Sequence, residues 1–342
     1  MLKSSHVGVV PTPHSHSRLG KESRVNRHTI QQCRMALTDG DKGVSSSSEN
    51  NKVDSRFESL KGFTLVCPIC QSTPVYVSSS KTYMGCSRCH RTFEEYDGIK
   101  NLTVTSGIPS SQKSFEKRGP NSVELFKNPL ISSIYERGWR QSFSWAGFPG
   151  VEEESRMALE VLRPICSGHP LVDMSCGSGL FTRKFLQSGE FSNVIAVDYS
   201  ESMLRETLDL IQQDPSIQQH SYTLVQADAA RLPFVTSSIK GIHAGAAIHC
   251  WPDPVNSMAE MSRCLSPGGI FVGTTFLSYI APAGELLGND DLFKGLRNLE
   301  PSYNSFRFWN EDELRDLCLS CGFSSFSVVK RQFRYIMFQA IR

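Results

Sequence analysis

Two features carry most of the chemistry legible in this chain of 342 residues: four paired cysteines and one glycine turn. Cys67, Cys70, Cys86 and Cys89 form "CPIC" and "CSRC", fifteen residues apart. Each C-x-x-C knuckle turns tightly enough to aim two thiolates at one ion. Two knuckles complete a tetrahedron with Zn–S bonds of about 2.3 Å. Four protein ligands leave no open position, so a zinc ion here is structural rather than catalytic. Two redox pairs are the alternative. The flanking "PVYVSSSKTYMG" and "RTFEEYDGIKNLTV" read as short strands of a zinc ribbon over residues 61–105. So small a module has too little core to stand alone, and the metal is expected to supply its folding energy. Loss of that metal is expected to leave cofactor binding elsewhere in the chain largely intact.

The glycine turn lies in "LVDMSCGSGLF", residues 171–181, which has the shape of strand, turn and helix. Gly177 and Gly179 permit close approach of a ligand. The third glycine of G-x-G-x-x-G is missing, because Leu180, Phe181 and Thr182 follow. Asp173 would also repel a pyrophosphate, which weakens a nicotinamide-dinucleotide reading. A cofactor with a primary ammonium and no phosphate suits the same residues, and S-adenosylmethionine has that character. In "VIAVDYSESML", Asp198 follows Gly177 by 21 residues and can accept hydrogen bonds from both ribose hydroxyls. Asp228, in "QADAARLPF", ends the next strand within reach of an adenine amino group. His249, in "IHCWPDP", is placed to act as a base toward a substrate that carries a proton. Packing or backbone bonding is its other reading. His243 falls inside a strand pattern and is expected to pack.

These residues need a scaffold, and the pattern after residue 130 supplies one. Apolar runs "PLVDM", "NVIAVD", "YTLVQAD", "GIHAGAAI" and "GGIFVGTTF" alternate with helical periodicity. Such alternation predicts an α/β fold, a doubly wound and mostly parallel sheet with helices on both faces. Ligands bind at the carboxyl ends of such strands, where the glycine turn lies. "NEDELRDLCLSCGF" predicts a capped helix: Asn310 caps, Glu313 closes a capping box and Gly322 stops it. Cys318 and Cys321 then share one helix face, which is expected to be buried. "FSVVK" and "FRYIMFQAI" predict a closing antiparallel hairpin.

With "VDMSCGSG", "VDYSESML", "ADAARLPF", "AIHCWPDP" and "LSPGGIFVGTT" in order, residues 131–342 resemble the class I S-adenosylmethionine-dependent methyltransferases. Within them the chain is most similar to the quinone-biosynthesis-like type 11 group, in a plant chloroplast form. The resemblance implies a Rossmann-like methyltransferase domain. It assigns the cofactor to Asp173, Ser175, Gly177, Gly179, Asp198, Tyr199, Met203, Asp228 and Ala229. Ser175 departs from the family's acid-x-Gly-x-Gly-x-Gly at the first glycine. The cysteine module resembles that of bacterial 23S rRNA guanine methyltransferases, which implies RNA as a possible acceptor.

Charge bears on the acceptor. From Pro120 onward there are 19 Lys or Arg against 24 Asp or Glu, a net of −5. RNA binders usually present a basic face, because neutralising phosphates dominates their affinity. Aromatic residues flanking the core (Tyr135, Trp139, Phe143, Trp145, Phe148, Tyr279, Phe293, Tyr303, Phe306, Phe308 and Trp309) instead suit a lid over a small apolar ring-bearing metabolite of the prenylquinone kind. An rRNA base methyltransferase, or an inactive zinc-containing interaction protein on the same fold, are the competing readings. Residues 1–45 are basic, serine-containing and acid-poor at their start, as in an organelle transit peptide. They predict a chloroplast address, in the stroma or at plastoglobules. Polar linkers are expected over 46–60 and 106–130. No run of about 18 apolar residues is present to span a membrane, so contact with plastid lipid bodies would be peripheral.

Overall fold

The computed structural model describes residues 62–72, 75–77, 83–108, 140–278 and 306–342. The expected leader, the 46–60 linker and most of the 106–130 linker lie outside these residues. So do Tyr135, Trp139, Tyr279, Phe293 and Tyr303.

Five strands build the centre: β5 (Pro170–Met174), β6 (Asn193–Asp198), β7 (Tyr222–Gln226), β8 (Ile239–Ala244) and β9 (Leu265–Phe276). Each corresponds to an apolar run read from the sequence. They are parallel to their neighbours in the order β7-β6-β5-β8-β9, so their carboxyl ends share one edge. β10 (Ser325–Gln332) and β11 (Tyr335–Ile341) form the expected antiparallel hairpin. β11 inserts against β9, with Tyr335 opposite Phe276.

Alternation along the strands divides the core. Leu171 and Val194 meet Leu162 and Cys166 of α1 (Val151–Cys166) and Phe185 of α2 (Leu180–Ser188) on one face. Val172, Met174 and Val197 turn to the other, where they share a cluster with Met258 and Met261 of α4 (Pro254–Cys264). Leu314 and Cys318 of α5 (Glu311–Ser320) join that second cluster. Helix α3 (Glu201–Gln213) packs beside β6 and β7. The capping box of α5 forms as expected between Asn310 and Glu313, and Gly322 is left-handed at φ 95°.

The cysteine module is built onto the central sheet. Its strands β1 (Tyr76–Val77), β2 (Tyr83–Gly85), β3 (Thr92–Tyr96) and β4 (Ile99–Asn101) pair antiparallel in sequence. Asp97 and Gly98, both at positive φ, make the turn between β3 and β4, as a two-residue hairpin requires. β4 then lies parallel on β7, with Ile99 opposite Leu224, and extends the sheet to eleven strands. Phe63, Leu65, Met84, Phe93 and Leu102 are buried in one cluster with Val225, Leu232 and Phe234. The module's core is therefore shared with the central sheet. This apolar burial supplies folding energy to the module independently of any metal.

Candidate active site and cysteine centre

The turn after β5 is built from unusual backbone. Ser175, Gly177 and Gly179 all take positive φ, at 55°, 58° and 78°. The two glycines adopt this region freely, whereas serine is strained there. Ser175 is held by its hydroxyl, which accepts a hydrogen bond from Trp251 Nε1 at 3.0 Å. The "HCWPDP" loop is thereby tied to the turn, a link that the sequence reading missed. Gly179 is required for packing as well as for conformation. A Cβ there would lie 2.5 Å from Thr207 Cγ2 on α3. Gly179→Ala is therefore expected to cost about 2–4 kcal/mol in urea unfolding. Adding Thr207→Ser, which removes the nearest atom, should recover part of that loss. An unchanged midpoint for Gly179→Ala would refute the close approach.

Asp198 closes the turn from below. Its Oδ2 accepts the Gly177 N–H at 2.9 Å and its Oδ1 accepts the Ser200 N–H at 2.8 Å. Burial pushes its carboxyl up to about 6, against the lowering effect of the N–H groups of Ser200, Gly177 and Tyr199. Each oxygen retains a lone pair for a further donor. Ser200 also caps α3, accepting the Met203 N–H at 3.3 Å, and the Met203 side chain is buried. The Tyr199 carbonyl accepts from Gln226 Nε2 at 2.9 Å. Asp228 is exposed beyond β7 and accepts the Ala230 N–H at 2.9 Å, while Ala229 beside it is buried. Thus Ser175, Gly177, Asp198, Tyr199, Asp228 and Ala229 gather along the carboxyl edge of β5, β6 and β7.

Asp173 is placed differently from the expectation. It is 1% exposed beneath the turn, and both carboxylate oxygens are engaged. Oδ2 accepts from Thr182 Oγ1 at 2.6 Å, and Oδ1 lies 2.9 Å from His243 Nδ1. His243 is therefore more than a packing residue. Its ring lies 4.8 Å from Phe181 and 4.9 Å from Phe185, and its Nε2 has no hydrogen-bond partner among the described residues.

At the other end of the edge, His249 sits in a short helical turn after β8 and is 6% exposed. Its Nδ1 lies 3.3 Å from Thr275 Oγ1. Phe276 and Phe306 flank its ring at 4.8 and 5.5 Å. Phe143 and Phe148 pack on Phe276 at 4.9 and 4.6 Å. Arg334 lies over Phe308 at 4.6 Å. The two aromatic segments flanking the core thus converge beside His249. Two of their residues do otherwise: Trp145 is 87% exposed, and Trp309 is buried in the core.

The four paired cysteines also meet. Their sulfurs lie within 4.8 Å of one another, with Cys67–Cys89 and Cys70–Cys86 each at 3.5 Å. Sulfurs bound to one tetrahedral zinc stand about 3.8 Å apart, so the cluster fits that ion. Both knuckles use the same backbone: Gln71 N–H donates to Cys67 O, His90 N–H donates to Cys86 O, and Gln71 and His90 are left-handed. Cys318 is buried on α5 as expected, whereas Cys321 at its end is half-buried.

Comparison with known proteins decides the family. A family model described as "Methyltransferase domain" matches residues 172–273. A chloroplastic methyltransferase of Arabidopsis thaliana is 42% identical over 289 residues, 81% of this chain and 78% of the relative. The chain belongs to the same methyltransferase family. A second Arabidopsis chloroplastic methyltransferase is 39% identical to this methyltransferase, over 87% of its chain and 83% of the relative. The demethylmenaquinone methyltransferase of Staphylococcus saprophyticus is 27% identical, over 47% of this chain and 73% of the relative. Among solved structures, phosphoethanolamine N-methyltransferase 2 of Haemonchus contortus is 16% identical with a TM-score of 0.46, covering 64% of this methyltransferase and 60% of that chain.

Proposed function

We propose that this methyltransferase uses S-adenosylmethionine to methylate a small, apolar, ring-bearing acceptor of the prenylquinone kind in plastids. The carrying observation is the aromatic cluster beside His249 at the carboxyl ends of the central strands: Phe276 and Phe306 flank its ring, and Phe143, Phe148 and Phe308 pack on Phe276. Burying an aromatic acceptor against such a wall yields about 25 cal/mol per Å² and needs no phosphate contact. The net of −5 from Pro120 onward opposes approach to a polyanion. The name of the Staphylococcus relative, with its quinone-type acceptor, points the same way.

The donor set along the edge suits the cofactor. Asp198 offers free lone pairs to a pair of hydroxyls, and exposed Asp228 offers an acceptor to an adenine amino group. Gly177 leaves no side chain between them. S-adenosylmethionine, when bound, supplies a methyl group on a good sulfonium leaving group. The protein's task is then orientation and exclusion of water. His249 is assigned the acceptor's proton.

Residues 1–45 are assigned to plastid import and 61–105 to a zinc-holding module ahead of the 131–342 catalytic domain. The chloroplastic names of both Arabidopsis relatives support the address. No helix among the described residues is long and apolar enough to cross a membrane, which suits peripheral contact with plastoglobule lipid or a stromal location. The test is methyl-labelling of plastid lipid extract and plastid rRNA by the full chain. Label is expected in one lipid-soluble species. Label at a single rRNA position instead would replace the small-molecule acceptor with RNA, and binding of cofactor without any transfer would favour an inactive interaction protein.

A further inference from the structure

The cysteine module touches the cofactor edge through the backbone of its first knuckle. Arg231 Nε and Nη2 donate to the carbonyl oxygens of Pro68 and Ile69, the second at 2.8 Å. Those are the two residues between Cys67 and Cys70. Arg231 also ends the turn that begins at Asp228, since its N–H donates to Asp228 O at 2.9 Å. One guanidinium thus spans the knuckle and the loop that carries Asp228 and Ala229. Further bonds brace the same region. Val66 N–H donates to Pro233 O at 2.9 Å, and Leu102 N–H donates to Gln226 O at 2.8 Å. Tyr96 Oη donates to Gln226 Oε1 at 2.8 Å, and the Gln226 amide reaches the Tyr199 carbonyl at 2.9 Å. The loops after β6 and β7 therefore both lean on the module.

A planar guanidinium can serve two neighbouring carbonyls while these converge on its fork. The Pro68 and Ile69 carbonyls are held convergent when Cys67 and Cys70 are pinned to one centre. An ion supplies that pin through four bonds, and its binding energy is folding energy for the loops that it ties. We propose that Arg231 is a positioning residue that couples metal occupancy of the four-cysteine cluster to the cofactor loop. The zinc-loaded chain then binds the cofactor more tightly than the zinc-free chain. Linkage makes the coupling reciprocal, so bound cofactor slows loss of the metal. This inference rests on the cofactor and zinc assignments above, and it replaces the expectation that the two sites are independent.

The experiment titrates S-adenosylhomocysteine calorimetrically into the full chain, with zinc content measured on each sample. Removing zinc from the wild type should raise Kd about tenfold, a coupling of ordinary size. Arg231→Ala should keep one zinc per chain yet bind about tenfold more weakly, and removing its zinc should then add less than about twofold. Amide exchange over 227–232 should rise in both zinc-free wild type and zinc-loaded Arg231→Ala. A wild-type Kd that is the same with and without zinc overturns the coupling, as does wild-type affinity in zinc-loaded Arg231→Ala. Zinc-loaded wild type that binds no S-adenosylhomocysteine overturns the cofactor assignment instead. Purified chain without zinc under reducing conditions overturns the metal assignment.

Discussion

Replacing His243 with alanine should lower the free energy of unfolding by about 2–4 kcal/mol, as expected when a fully buried, hydrogen-bonded side chain is truncated. The side chains of His243 and Asp173 are 0% and 2% exposed, with Nδ1 and Oδ1 at 2.9 Å. The variant leaves the Asp173 carboxylate buried with Thr182 as its remaining side-chain partner. It also opens a hole between Phe181 and Phe185, which flank the ring. For a chain of this size the loss corresponds to a fall in Tm of about 10 °C. His243→Asn retains a donor toward Asp173 and should lose less than half as much. Thermal melts of the three proteins distinguish the cases. Equal losses for both variants would mean that ring packing, rather than the bond to Asp173, carries the stability.

Asp198→Ala should weaken S-adenosylmethionine binding by about 10- to 100-fold, equivalent to about 1.5–3 kcal/mol for hydrogen bonds to a charged acceptor. Part of that loss comes from the protein itself, because the Gly177 and Ser200 N–H groups lose the carboxylate that organises the turn. Asp198 also makes binding depend on pH. Its carboxyl is raised to about 6, and the ionised form is the one that accepts hydroxyl hydrogens. Affinity should therefore be level above about pH 7 and fall as the pH drops through 6. Its contribution to folding has the opposite sign. Being raised above the ordinary 3.8, it stabilises the fold fully below that value, and this is lost as pH rises through about 6. Calorimetric titrations from pH 5 to pH 8 on wild type and Asp198→Asn test the first statement, and urea unfolding of the same two proteins across pH 4 to pH 7 tests the second. A pH-independent affinity in the wild type would remove Asp198 from the cofactor's direct partners.

The largest departures from the sequence reading arise where contacts join distant segments. Asp173 and His243 lie on adjacent strands in direct register, 70 residues apart. A polar histidine within the apolar run "GIHAGAAI", on the same face as Asp173, was the available signal. It becomes a pair only when β8 is known to lie beside β5. Trp251 and Ser175 give no such signal, because loop-to-loop hydrogen bonds leave no periodicity in either segment. The sequence marks Gly179 as a place for a cofactor to approach, whereas it also admits Thr207 of α3.

The sequence by itself determined the elements and their chemistry. Alternating apolar runs defined five parallel strands, Asn310 and Glu313 defined a helix start, and two knuckles brought four thiols to one point. These follow from short-range geometry: strand period, helix capping and tight turns act within a few residues and are written in residue type. The tertiary structure alone decided that β4 docks on β7, and that Arg231 bridges the first knuckle to the Asp228 loop. Backbone donors on an open strand edge accept any partner of suitable length and register. Which partner arrives is therefore set by the packing of Phe63, Phe93 and Leu102 into the shared core, not by a motif in either strand.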